Sequence, residues 1–134
     1  MYAYQGPQAY ARISLESRVA GATPHQLIAM LFEGACGAIA HARIAFAQGN
    51  VARRGEMISK AINIVDNGLR AALDHQKGPT IAADLERLYD YISRLLMQAN
   101  LHSSLDKLAQ AEMLLRDLAE VWQAIAPHKQ AGQP

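Results

Sequence analysis

The sequence predicts an all-α fold, an antiparallel up-down four-helix bundle preceded by a short N-terminal helical arm. Three observations carry this reading. Helix-start signals recur along the chain, and apolar residues alternate spacings of three and four behind each of them. No segment shows the sustained period-two alternation of a strand.

The first start signal is the clearest. Thr23-Pro24-His25-Gln26 reads as a capping box, with the Thr23 hydroxyl accepting from the Gln26 amide and the Gln26 side chain reaching back. Pro24 stands at the first helical position, where a missing N–H costs nothing and the fixed φ suits the helix. Gly49-Asn50 closes this segment, and Asn50 is placed to cap the next. Lys77-Gly78-Pro79-Thr80 is the strong breaker in the middle, with Thr80 as the expected cap of the third helix. Ser103-Ser104-Leu105-Asp106 offers a further capping box, and Pro127 ends the last segment. The expected helices span residues 24–48, 51–75, 80–101 and 104–126. Connections this short make successive helices antiparallel.

Each segment carries an apolar seam. Ile28, Leu31, Ala35, Ala38, Ala42 and Ala45 form the first, and Ile58, Ile62, Val65, Leu69 and Ala72 the second. Ile81, Leu85, Leu88, Ile92, Leu95 and Ala99 form the third; Leu108, Ala111, Leu115, Leu118, Trp122 and Ile125 the fourth. This spacing is that of left-handed bundle packing. Beside each seam runs a second column at seven-residue spacing: Phe32, Ile39 and Phe46; Met57, Ile64 and Ala71; Ala82, Tyr89 and Leu96; Leu114 and Val121. A bundle helix ordinarily needs about three apolar positions per heptad, so the column reads as widened core. It reads equally as a groove for an amphipathic partner helix. In the first helix Gly34 and Gly37 each cost roughly 1 kcal/mol relative to alanine, which close approach of a neighbouring helix would offset.

The expected domains are an arm or lid at 1–22, the bundle at 23–127 and a disordered tail at 128–134. Within the arm, Tyr10, Ile13 and Ser17 share one face, with Leu15 and Val19 beside it, so residues 10–19 can form a short amphipathic helix. Isolated helices below ~12–15 residues are marginal in water, so this one needs a surface to dock on. The second column of the bundle is the nearest, with Tyr10 as the anchor.

Composition narrows the function. A chain of 134 residues that is 51% hydrophobic suffices for one domain with a core. Thirteen basic against twelve acidic residues, a net charge of +1, argue against a nucleic-acid surface. No uncharged apolar run approaches the ~20 residues that cross a bilayer, so membrane insertion is not expected. Met1-Tyr-Ala-Tyr-Gln-Gly-Pro lacks the plan of a signal peptide, and the single Cys36 fits a reducing compartment. A cytoplasmic location is expected.

Catalytic signatures are missing. The histidines at 25, 41, 75, 102 and 128 are scattered, and none has an acidic residue three positions away. There is no His-Glu-x-x-His motif and no cysteine pair for a metal. Gly34-x-x-Gly37 lies inside a helix and lacks the Lys-Ser/Thr of a phosphate loop, and a helix start explains Ser104-x-x-Lys107. The reading is a non-enzyme with no cofactor and no catalytic residue.

Three blocks carry a family resemblance. They are Thr23-Pro-His-Gln-Leu-Ile-Ala-Met-Leu-Phe-Glu-Gly-Ala35, Ile58-Ser-Lys-Ala-Ile-Asn-Ile-Val65 with Leu69 to Asp74, and Leu88-Tyr-Asp-Tyr-Ile-Ser-Arg-Leu-Leu-Met-Gln-Ala-Asn100. With Ala9-Tyr10 and Trp122, they resemble the flagellar export chaperones that hold flagellin, the FliS family. Phe32 stands where that family commonly has tyrosine, and Lys77-Gly78-Pro79 replaces a Gly-Gly-like turn. The resemblance implies a chaperone that binds the C-terminal segment of flagellin 1:1, prevents premature polymerisation and delivers it to the flagellar type III export gate. An anti-sigma factor is a further candidate partner. The expected partner-binding residues are Tyr10, Ile13, Phe32, Ile39, Met57, Ile64, Tyr89 and Leu96. The competing reading is a structural four-helix protein that associates with itself through its apolar columns.

Overall fold

The computed structural model describes residues 2–76 and 79–127. The described residues form α1 (Tyr2–Ala20), α2 (Pro24–Gln48), α3 (Val51–Ile64), α4 (Pro79–Leu101) and α5 (Leu105–Ala124). A π-helical turn, Val65–Leu69, continues α3. The expected tail at 128–134 lies outside the described residues.

The caps fix the boundaries. Thr23 Oγ1 accepts from the Gln26 amide at 3.1 Å and Gln26 Oε1 from the Thr23 amide at 2.9 Å, completing the box. Gly49 closes α2 at φ 68°, in the left-handed region that glycine enters without strain. Asn50 Oδ1 then accepts from the Arg53 amide at 3.0 Å. Ser104, not Ser103, caps α5, accepting from the Lys107 amide at 3.2 Å. Lysine at that third position has no acceptor to return the bond, so this cap is single and not the expected box. Thr80 lies inside the first turn of α4, which begins at Pro79 and not at the expected cap.

Pairs of contacts show the helix directions. His25 meets Trp122 and Arg43 meets Glu112, so α2 and α5 run antiparallel. Arg54 bonds Asn100 while Arg70 pairs with Glu86, so α3 and α4 do too. Leu31 abuts Gly68 and Gly34 abuts Ile64, which sets α2 against α3 in the same sense. Helices α2 to α5 thus close a ring, each beside two neighbours around one core.

Both the seam and the second column feed that core. Ile39, Ile58, Val65, Leu69, Ile92, Leu96, Leu108 and Leu115 are its largest fully buried side chains. Ala35, Ala38, Ala42 and Ala45 give α2 a small-residue face on which neighbours close. A Cβ on Gly34 would meet Ile64 Cδ1 at 3.4 Å, in keeping with close approach, whereas one on Gly37 would meet nothing within 4 Å. Only the first of the two glycines is explained by packing. Helix α2 is the one described helix long and apolar enough to cross a membrane, and its buried alanine face shows where that apolarity is used.

The second bundle helix departs from expectation. Its α-helical pairing ends at Ile64, and the Arg70 amide bonds the Val65 carbonyl at 2.8 Å across the π turn, short of the expected end at 75. The extra residue in the turn shifts the register, which a 3.6-residue period cannot foresee. The turn packs closely on α2: a Cβ on Gly68 would sit 3.0 Å from Leu31 Cδ2. Arg70 secures the exit, with Glu86 at 3.5 Å and Asp66 and Asp90 each at 3.8 Å, while Ser93 donates to Asp66 at 2.7 Å.

Charge inside the bundle is matched. Glu112 is buried, yet Arg43 of α2 and Arg116 one turn along α5 both donate to its carboxylate. Burying a carboxylate is costly unless it is paired in this way.

Ile92 and Leu96, one from each apolar column, are both fully buried. Ile92→Ala and Leu96→Ala should each lower unfolding free energy by about 2–5 kcal/mol. Urea titration checks this, and a Leu96→Ala cost below about 1 kcal/mol would refute the core assignment of the second column.

Candidate functional site

The seams are buried over most of the bundle and come apart at one end. Where α2 begins, α4 begins and α5 ends, Ile28, Leu85, Leu118 and Trp122 are half-exposed, while Ile81 and Ile125 are 68% and 60% exposed. The cause lies in α3. After the π turn the chain leaves the helical path, so no fourth helix continues beside these residues.

The result is an apolar groove of about 480 Å³ between α2, the π turn, α4 and α5. Phe32 and Tyr89 form its floor, with Leu69 beside them. Ala72, Leu73 and Asp74 make one rim; Val121, Trp122 and Ile125 make another. Asp74 is the one charged residue of the lining among the described residues. Its carboxylate accepts from the Gln76 amide at 3.0 Å, which shapes the turn at the rim.

The expected binding residues divide. Phe32 and Tyr89 reach the groove. Ile39, Met57 and Leu96 are core residues and do not line it. Ile64 is half-buried against the core beside Gly34, and Ile13 stands exposed on α1. The side chain of Tyr10 lies outside the described residues. Ile28, Leu73, Ile81, Leu118, Trp122 and Ile125 were not among the expected residues, although they shape the groove. Most are seam positions by spacing, and spacing assigns a seam to the core wherever it runs. The usable signal was the breaker cluster after Asp74, which marks where a partner helix is lost.

The arm is longer than expected. Helix α1 covers Tyr2–Ala20, and every described side chain from Arg12 to Ala20 is exposed. Among the described side chains its named tie to the bundle is the Arg18–Glu33 pair at 3.3 Å. None of its described side chains lines the groove.

A second hollow of about 510 Å³ lies between α2 and α5, rimmed by Glu33, Arg116 and Glu120 over Cys36. Burial pushes the Cys36 thiol up, with Arg116 pulling it partly back. That is the environment of an unreactive thiol. Among the described residues no three His, Cys, Asp or Glu side chains converge as a metal site would require. The chemistry on offer is apolar binding.

Known proteins of the same kind confirm the family. A sequence profile described as "Flagellar protein FliS" matches residues 6–129. The Flagellar secretion chaperone FliS of Salmonella typhimurium is 51% identical over 95% of this chain and 94% of its own. The protein of the same name from Escherichia coli is 41% identical over 91% of this chain and 90% of its own. Flagellar secretion chaperone FliSB of Pseudomonas aeruginosa is 36% identical over 94% of this chain and 99% of its own.

Tyr89 gives the groove floor a pH signature. It is nearly fully buried, and burial pushes its hydroxyl up to about 12. Folding therefore favours the neutral phenol, a stabilisation complete below pH ~10 and lost as pH rises through the folded-state value. Tyr89→Phe should flatten the decline of stability in that alkaline window. Denaturant midpoints of the two proteins measure it, and equal declines would refute the assignment. From its profile match and the extent of these likenesses, the chain belongs to the flagellar protein FliS family.

Proposed function

We propose that this chain is a cytoplasmic export chaperone that binds the C-terminal segment of flagellin, one chaperone to one subunit. In this reading it prevents premature polymerisation and hands the subunit to the flagellar type III export gate. It acts by binding, with no catalytic step and no cofactor. The observation that carries the reading is the open apolar groove at the end of a bundle whose family is flagellar.

The physics is coherent. A flagellin terminus that becomes helical in the filament exposes an apolar face beforehand, and the groove offers an apolar surface to cover part of it. Ordering the segment on binding subtracts from affinity and keeps the complex releasable. Self-association through the groove is the alternative that light scattering would detect.

Calorimetry with a peptide of the flagellin C-terminal segment should give 1:1 binding, a negative heat-capacity change and a gain of helical circular dichroism. Ile125→Asp places charge on the exposed rim and should weaken binding about tenfold or more, or about 1.4 kcal/mol, with little change in stability. Undiminished binding of flagellin lacking its C-terminus would reject the proposal.

The arm completes the reading as a competitor for the groove, hinged at Gly21–Thr23 and using Ile13 and Tyr10 to dock. Its exposed Ile13, Leu15 and Val19 gain by any position that covers them. Amides of residues 10–19 should then exchange more slowly in the free protein than in the flagellin complex. Rapid exchange in both states would remove the lid from the scheme.

A further inference from the structure

At the lip of the groove one contact is far more specific than apolar packing requires. His25 and Trp122 stack with ring centroids 4.5 Å apart and planes within 7°. His25 Nε2 lies 2.7 Å from the Trp122 carbonyl oxygen, which assigns the ring hydrogen to Nε2 as donor. Trp122 Nε1 donates in return to the His25 carbonyl at 2.9 Å.

Each half follows from where the residues stand. Trp122 is in the last turn of α5, where carbonyls have no partner within the helix, and His25 supplies one. His25 is in the first turn of α2, two residues beyond the Thr23 cap, so the box that starts α2 also aims its imidazole. The partial positive charge at the start of α2 meets the partial negative charge at the end of α5.

The stack and two hydrogen bonds leave the indole one orientation. One face is committed to His25, while Trp122 still lines the groove beside Ile28, Leu118 and Ile125. An aromatic wall held in place loses no rotamer freedom when a guest arrives.

We propose that the His25–Trp122 clasp is the positioning element of the groove, holding the free surface of Trp122 as a preset wall for an apolar helical guest. His25 acts through Trp122 without touching the guest. The proposal rests on the reading of the groove as the flagellin site and names what sets its geometry.

Trp122 is the chain's single tryptophan, so its fluorescence reads the clasp directly. The probe is a synthetic peptide of the flagellin C-terminal segment, titrated into wild type, His25→Ala and His25→Gln. His25→Ala should lower the fluorescence anisotropy of free Trp122 and weaken the peptide about 3- to 10-fold, the range expected for freeing one side chain. His25→Gln, which restores a donor to the Trp122 carbonyl, should recover part of both. If His25→Ala is unfolded at the assay temperature, His25→Phe keeps a stacking ring, loses only the donor, and should still weaken binding at least twofold. Peptide affinity within twofold of wild type in folded His25→Ala, or in His25→Phe where it stands in, overturns the clasp, whether or not Trp122 loosens. Failure of the wild type itself to bind the peptide rejects the flagellin reading and the proposal with it.

Discussion

Most of the molecule's functional geometry depends on where its second bundle helix stops. Gly68 brings the backbone against the Leu31 side chain, where a Cβ would sit only 3.0 Å from Leu31 Cδ2, and the chain passes that point as a π turn. Beyond it the helical path ends, and Arg70 holds the exit against Asp66, Glu86 and Asp90. Helices α2, α4 and α5 continue past this level and keep their apolar seams. The groove is the volume a longer helix would have filled.

Local features were legible because their chemistry is local. Thr23, Asn50 and Gly49 act within a few residues of themselves, so the sequence states where α2 and α3 begin and where α2 ends. The seam through Ala35, Ile58, Ile92 and Leu115 was equally readable, since each lies at the centre of the bundle. The column containing Ile39 and Leu96 was ambiguous, and the structure assigns those two to the core. Periodicity reports the width of an apolar stripe but not the length over which a neighbour covers it. Ile28, Trp122 and Ile125 therefore carry the same spacing as core residues while standing at the groove. The π turn was invisible for a related reason: it packs through Gly68 against Leu31, a contact which no window along the chain contains. Lys107 also shows the limit of motif reading, because a serine cap survives there although the reciprocal partner of a box is absent.

The far end of the bundle is built differently. Arg54 lies over the Phe46 ring, 4.8 Å from its centroid, and binds Asn100 through both side chain and carbonyl at 3.1 Å. It also donates to Ser103 Oγ at 3.3 Å, joining the α2–α3 and α4–α5 corners through one side chain. Ser103 adopts φ 50° at that corner, a conformation uncommon for a residue with a Cβ. Midway, Glu112 with Arg43 ties α2 to α5 below the surface. At the far end a single arginine thus ties the helix corners together, whereas at the other the helices part around the groove.

This arrangement gives the bundle a firm end and a soft end. Local opening costs least where few buried contacts must be given up, so on the proposed reading the exposed rim at Ile81 and Ile125 parts before the corner under Arg54. On the proposed reading, a guest leaves by loosening only the soft end. The firm end keeps the four helices in register throughout, and an emptied molecule is ready for another subunit without folding again.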